Sequence, residues 1–182
     1  PFREDRAEVM PQLIEFLGRF DNIQPVAFVR RPDVALDRLY REVVAIGSRA
    51  GSRSIDEFRV DYQAILTDLP QLFAPFEALA GRSVALLDYD SVGRDPVSAF
   101  ANAVAVPELA RLGELTPMSR LYQTLGRETV TAARTINSLL TSQDRRHAAL
   151  RDFFRTAPVS VQAEDLFLSP ADRAAIIDEF QA

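Results

Sequence analysis

The basic chemistry of this chain rests on arginine, with 21 basic side chains and not one lysine. Two of them, Arg30 and Arg31, stand where one pattern gives way to another. The run Pro25-Val26-Ala27-Phe28-Val29 is β-branched and aromatic and reads as a strand ending at Arg30. Directly after Arg30-Arg31-Pro32 the apolar positions become Val34, Leu36, Leu39, Tyr40 and Val43, the spacing of a helix. A strand that delivers two guanidinium groups to a strand–helix junction is suited to phosphate or sulfate oxygens, because the planar fork matches them. The unsatisfied N–H groups at the start of the next helix favour an anion at the same place. The alternative use of these arginines is structural: capping the sheet, or bridging to Asp33 and Asp37.

Other residues offer less. Arg49 and Arg53 lie in a small loop, Ser48–Ser54, a candidate contact for an acidic substrate because loops carry binding residues more often than helix faces do. Asp88 and Asp90 lie two apart on an extended segment with no His or third carboxylate nearby in sequence, a poor metal pair. Tyr89-Asp90 read as residues that fix a strand-to-helix turn. His147 is the single histidine, so any Ser-His-Asp scheme would have to use it; it sits at the edge of an amphipathic helix. Arg145, Arg146, Arg151 and Arg155 read as the solvated face of that helix. Without lysine, the chain offers no P-loop lysine and no Schiff-base lysine. Without cysteine it offers no disulfide or thiolate metal site, which fits a cytoplasmic setting.

The elements that must position these groups follow from spacing. Glu4–Phe20 reads as an amphipathic helix with Pro11 inside it, and Pro25–Arg30 as a buried parallel strand. Asp33–Ile46 is a helix closed by Gly47. Ser54 and Glu57 form a capping box that opens a helical stretch to Phe73, interrupted near Pro70 or Pro75. Ser83–Asp88 is a second strand, and Pro96–Val104 a helix with Pro at its first position. Helices are expected over Pro117–Leu140, Gln143–Arg155 and Pro170–Gln181, the last capped by Ser169.

At 182 residues and 47% hydrophobic, the chain is one domain with a sizeable core, an α/β part over 1–107 and a helical part over 108–182. The net charge of −5, with acidic and basic residues interspersed, argues against a general nucleic-acid binder. No apolar run approaches the roughly 20 residues of a membrane span. Two strands do not make a stable sheet alone. The α-β-α-α-β-α order therefore reads as the later part of an α/β sheet, completed by an upstream segment or by a partner chain, a second copy included.

Taken in order, three pieces resemble the sulfotransferase fold, in particular its bacterial carbohydrate-type branch. They are VAFVRRPDVALDRLYRE (Val26–Glu42), the segment from Asp61-Tyr62 through Leu66 to Phe73, and VALLDYDSVGRDP (Val84–Pro96). The tail LFLSPADRAAIIDEF (Leu166–Phe180) is similar to that branch's C-terminal helix and its lead-in. The resemblance implies a helix-rich α/β fold with a P-loop-type three-layer sheet. It implies a 3′-phosphoadenosine-5′-phosphosulfate donor and a hydroxyl acceptor on a carbohydrate. The family's 3′-phosphate is held by an arginine at the strand end, matched by Arg30, and by a serine eight residues on, where this chain has Arg38. Arg31 and Arg38 join Arg30 as candidate donor-binding residues. The family's 5′-phosphosulfate loop precedes these motifs, and nothing before Ile23 reads as a strand followed by a Gly/Ser/Thr turn. The donor loop is thus expected upstream of Pro1 or lost. A chain that has lost it would be a non-catalytic, helical interaction module derived from the same fold.

Overall fold

The computed structural model describes residues 4–92, 95–111, 125–156 and 166–181. Among the described residues, eight α-helices and a two-stranded parallel sheet make a helix-rich α/β protein. It divides into two compact units, one built from Pro1–Val29 and Pro70–Leu115, the other from Arg30–Leu69 and Thr116–Ala182. The strands and the larger helical cluster thus belong to different units.

The first unit holds α1 (Glu4–Leu17), β1 (Val26–Val29), most of α4 (Leu69–Ala80), β2 (Ala85–Asp88) and α5 (Pro96–Ala103). A 3-10 turn over Pro107–Ala110, not anticipated from spacing, follows α5. The strands pair in parallel, from Val26 opposite Ala85 to Val29 opposite Asp88. Both strands are shorter than the sequence pattern suggests, because Pro25 has no N–H to donate and Ser83–Val84 precede the first ladder bond, Ala85 N–H to Pro25 O at 2.9 Å. Only Ala101 is fully buried among the described apolar residues of this unit. Pro96 occupies the first turn of α5 as expected, and Asp95 caps it by accepting from the Ser98 N–H at 2.9 Å.

The second unit is a helical cluster of α2 (Pro32–Ala45), α3 (Ile55–Thr67), α6 (Arg127–Leu139), α7 (Gln143–Thr156) and α8 (Pro170–Gln181). Helix α2 lies at its centre, with Leu36, Tyr40, Val43 and Val44 turned into a core shared with Phe58, Val130, Leu150 and Ile176. Each such side chain, fully buried, stabilises the fold by about 1.5–3 kcal/mol. The aromatic part is ordered by ring geometry: Phe58 stacks on Tyr62 at 4.1 Å, and Tyr40 meets Phe58 at 5.4 Å and Phe167 edge-on at 5.2 Å. The expected Ser54–Glu57 capping box is present, with the Ser54 N–H donating to Glu57 at 2.8 Å and the Glu57 N–H to Ser54 Oγ at 3.2 Å. Ser169 caps α8, accepting from the Asp172 N–H at 3.2 Å.

One expected element is corrected. The helix placed over Pro117–Leu140 begins at Arg127 instead, with Gly126 as its extended N-cap; the stretch up to residue 124 lies outside the described residues. Gly126 breaks the apolar periodicity because its missing side chain favours a terminus over a helix interior. The helical stretch to Phe73 is two helices, split at Asp68 with Pro70 in the first turn of α4 and Pro75 inside it.

Candidate functional site

The junction singled out by sequence lies at the start of α2. Arg31 is the helix N-cap and Pro32 the first helical residue. The Arg31 side chain makes no capping bond; its carbonyl accepts from the Val34 and Ala35 N–H groups at 3.1 and 2.9 Å. The guanidinium turns instead to Asp33, a fully buried carboxylate. Arg31 Nε donates to Oδ1 at 2.7 Å and Nη2 to Oδ2 at 3.0 Å, the bidentate fork, and Arg173 Nε from α8 donates to Oδ2 at 2.8 Å. Burial pushes the Asp33 carboxyl up, but the hydrogen bonds from Arg31 and Arg173 outweigh it and hold the group below the usual carboxylate range.

One helical turn on, Asp37 is equally buried. It accepts from Arg41 Nε at 2.6 Å and from the Phe167 N–H at 2.6 Å. Arg41 also donates to the Leu125 carbonyl and lies over the Phe167 ring, its guanidinium carbon 4.9 Å from the centroid. Arg127 sits 5.3 Å from the same ring. Two carboxylates at i and i+4 thus each engage arginine on one stripe of α2, pinning Phe167 and α8 against it. Sequence reasoning named Asp33 and Asp37 only as bridging partners for the Arg30-Arg31 pair. The structure gives Asp33 to Arg31 and Arg173, and Asp37 to Arg41. The spacing Asp37-x-x-x-Arg41 is an i,i+4 ion pair and was the available signal.

Arg30 and Arg38 are half-buried, and the Arg31 side chain remains 49% exposed beside its carboxylate. All three candidates belong to the α2 unit, and of the three Arg31 is the one paired with Asp33. The loop Arg49–Arg53 contains a 3-10 turn over Arg49–Ser52; Arg49 and Arg53 are exposed, and Arg53 pairs with Asp61.

Two further polar residues are structural. Arg146, expected on a solvated helix face, is buried: Nε donates to Gly47 O at 3.0 Å, and Nη1 to Leu140 O and Thr141 O at 2.9 and 2.8 Å. It closes the C-terminal ends of α2 and α6 together, where helix dipoles favour a cation. Its neighbours Arg145, Arg151 and Arg155 are exposed, as expected. Asn137 is also buried and donates to Val44 O at 2.8 Å and Gly51 O at 3.3 Å. His147 is exposed on α7.

In the first unit, Asp88 Oδ1 accepts from the Asp90 N–H at 3.0 Å and Tyr89 meets Phe28 edge-on at 6.1 Å, which places both residues in the strand-to-helix turn. Among the described residues no three His, Cys, Asp or Glu side chains gather as a metal site, and no helix is long and apolar enough to cross a membrane. No protein-family model, curated protein or solved structure matches the chain.

Proposed function

We propose that this chain is a sulfotransferase-like domain whose β1–α2 junction holds the 3′-phosphate of 3′-phosphoadenosine-5′-phosphosulfate, for transfer of a sulfuryl group to a hydroxyl of a carbohydrate. The observation that carries the reading is the chain path: a strand, parallel to the next one, ends at Val29, and the chain enters α2 at once through Arg30-Arg31-Pro32. In this reading Arg30 supplies the phosphate contact. Arg31 supports it from the exposed side while its fork is set by Asp33, and Arg38 takes the place of a hydroxyl contact. The transfer is in-line at sulfur. The acceptor oxygen forms its bond as the bond to the donor phosphate breaks, and the acceptor proton passes to a base that none of these residues is assigned to be.

A second reading, a non-catalytic interaction module of the same fold, is favoured by one observation. The buried charged groups, Asp33, Asp37, Arg41 and Arg146, are engaged in holding helices together. Calorimetric titration of the chain with adenosine 3′,5′-bisphosphate decides between them. Saturable binding supports the first reading, and no heat up to millimolar nucleotide turns the assignment to the second.

A further inference from the structure

The two-stranded sheet has an outer edge on β2. In the parallel ladder the N–H groups of Ala85 and Tyr89 point to β1, which they reach at Pro25 O and Val29 O. By the alternation of a strand, Leu86 and Asp88 point their backbone groups the other way. At the two ends of that outer edge the groups are occupied: the Val84 N–H donates to Glu77 at 2.9 Å, and the Asp88 carbonyl accepts from the Val92 N–H at 3.1 Å. Between them, among the described residues, the Leu86 N–H and C=O and the Asp88 N–H have no partner. Leu86 is 50% exposed, and on the opposite face of the sheet Phe28 and Tyr89 are exposed as well.

Charge indicates what would pair there. The first unit carries six basic and eleven acidic residues and the second fifteen of each, so the whole net charge of −5 lies with the sheet. Glu77 and Asp88 bracket the open groups, while Arg82 turns to Gln24 on the β1 side. A second copy pairing through its own β2 edge would bring like charge, Asp88 and Glu77, to the same groups, and its β1 is already paired with its β2. The strand that β2 already accepts on its inner edge has the complementary chemistry: apolar Val26–Val29, followed in sequence by Arg30-Arg31.

We propose that the outer edge of β2 binds an extended, apolar and basic segment of another protein by strand addition, main-chain bonds going to Leu86 and Asp88 and the basic end to the Asp88 carboxylate. The test uses a fluorescein-labelled peptide with the sequence of Ile23–Arg31, titrated against the full chain by fluorescence anisotropy. Saturable binding is expected. It should weaken at least tenfold for a peptide with both arginines changed to glutamate, and again for the Leu86→Pro chain, whose proline removes an outward donor. Asp88→Asn keeps the acceptor for Asp90 and serves as the variant least able to disturb folding; several-fold weaker binding is expected. Equal affinity for the two peptides, undiminished binding to Asp88→Asn, or no saturation overturns the proposal. So does a dimer in sedimentation velocity that Leu86→Pro dissolves.

Discussion

Replacing Asp33 with Asn tests whether the α2–α8 contact is electrostatic. The carboxylate is fully buried and receives three charge-assisted bonds of 2.7, 3.0 and 2.8 Å. Breaking a buried ion pair by removing one partner costs about 3–5 kcal/mol when the other charge is stranded. Here the stranded partners can rehydrate, since the Arg31 and Arg173 side chains are 49% and 33% exposed, which puts the expected loss near the lower figure. With a urea dependence of about 2 kcal/mol per molar, a loss of ~3 kcal/mol lowers the unfolding midpoint by about 1.5 M. The assay is urea unfolding followed by circular dichroism at 222 nm, at a series of pH values. The Asp33 carboxyl is held below its ordinary value, so the unfolded chain binds the proton more readily. The stabilisation is therefore complete above about pH 5 and is lost as pH falls towards and through the folded-state value. The gap between wild type and Asp33→Asn should be constant from pH 7 to about pH 5 and close in more acid solution. A variant within about 0.5 kcal/mol of wild type at pH 7, a difference typical of surface substitutions, would refute the reasoning.

The remaining predictions concern the same unit and the sheet. Arg146→Ala should lower stability by about 3 kcal/mol, because three carbonyls at two helix ends lose their donor, and Arg146→Lys should recover only part of it in the same urea titration. Gly51→Ala should be severe, costing more than about 2 kcal/mol, because a Cβ would lie 2.6 Å from Val43 O and 2.8 Å from Val44 Cα. Gly81→Ala meets nothing within 4 Å and strains only a backbone at φ +64°, so it should cost about 1 kcal/mol and lower the thermal midpoint by about 2–4 °C.

Local rules carried much of the fold into the sequence. The Ser54–Glu57 box, the Ser169 cap, Gly47 closing α2 at φ +69° and Pro96 opening α5 each depend on neighbours within four residues, and each is where the spacing puts it. The two strands were legible as apolar runs separated by helices, which implies parallel pairing, but their expected burial was not met, since no residue of β1 or β2 is fully buried. What depended on distant partners was not. Arg146 is indistinguishable in sequence from Arg145 and Arg151, and only the approach of the α2 and α6 ends gives it three acceptors. Asn137 carries no local signal, since its acceptors at Val44 and Gly51 are about ninety residues away in sequence. The candidate site divides the same way: Arg31–Asp33 is a two-residue relation that sequence could raise, whereas Arg173 on Asp33 joins α8 to α2 across 140 residues.

The most direct test of the nucleotide reading is calorimetric titration of wild type and Arg30→Ala with adenosine 3′,5′-bisphosphate and with adenosine 5′-monophosphate. The account predicts that Arg30→Ala weakens the bisphosphate by at least tenfold and leaves the monophosphate within about twofold, because a charge-assisted contact to one phosphate is worth about 1.5–3 kcal/mol. Equal losses for the two nucleotides would contradict it and return Arg30 to the fold.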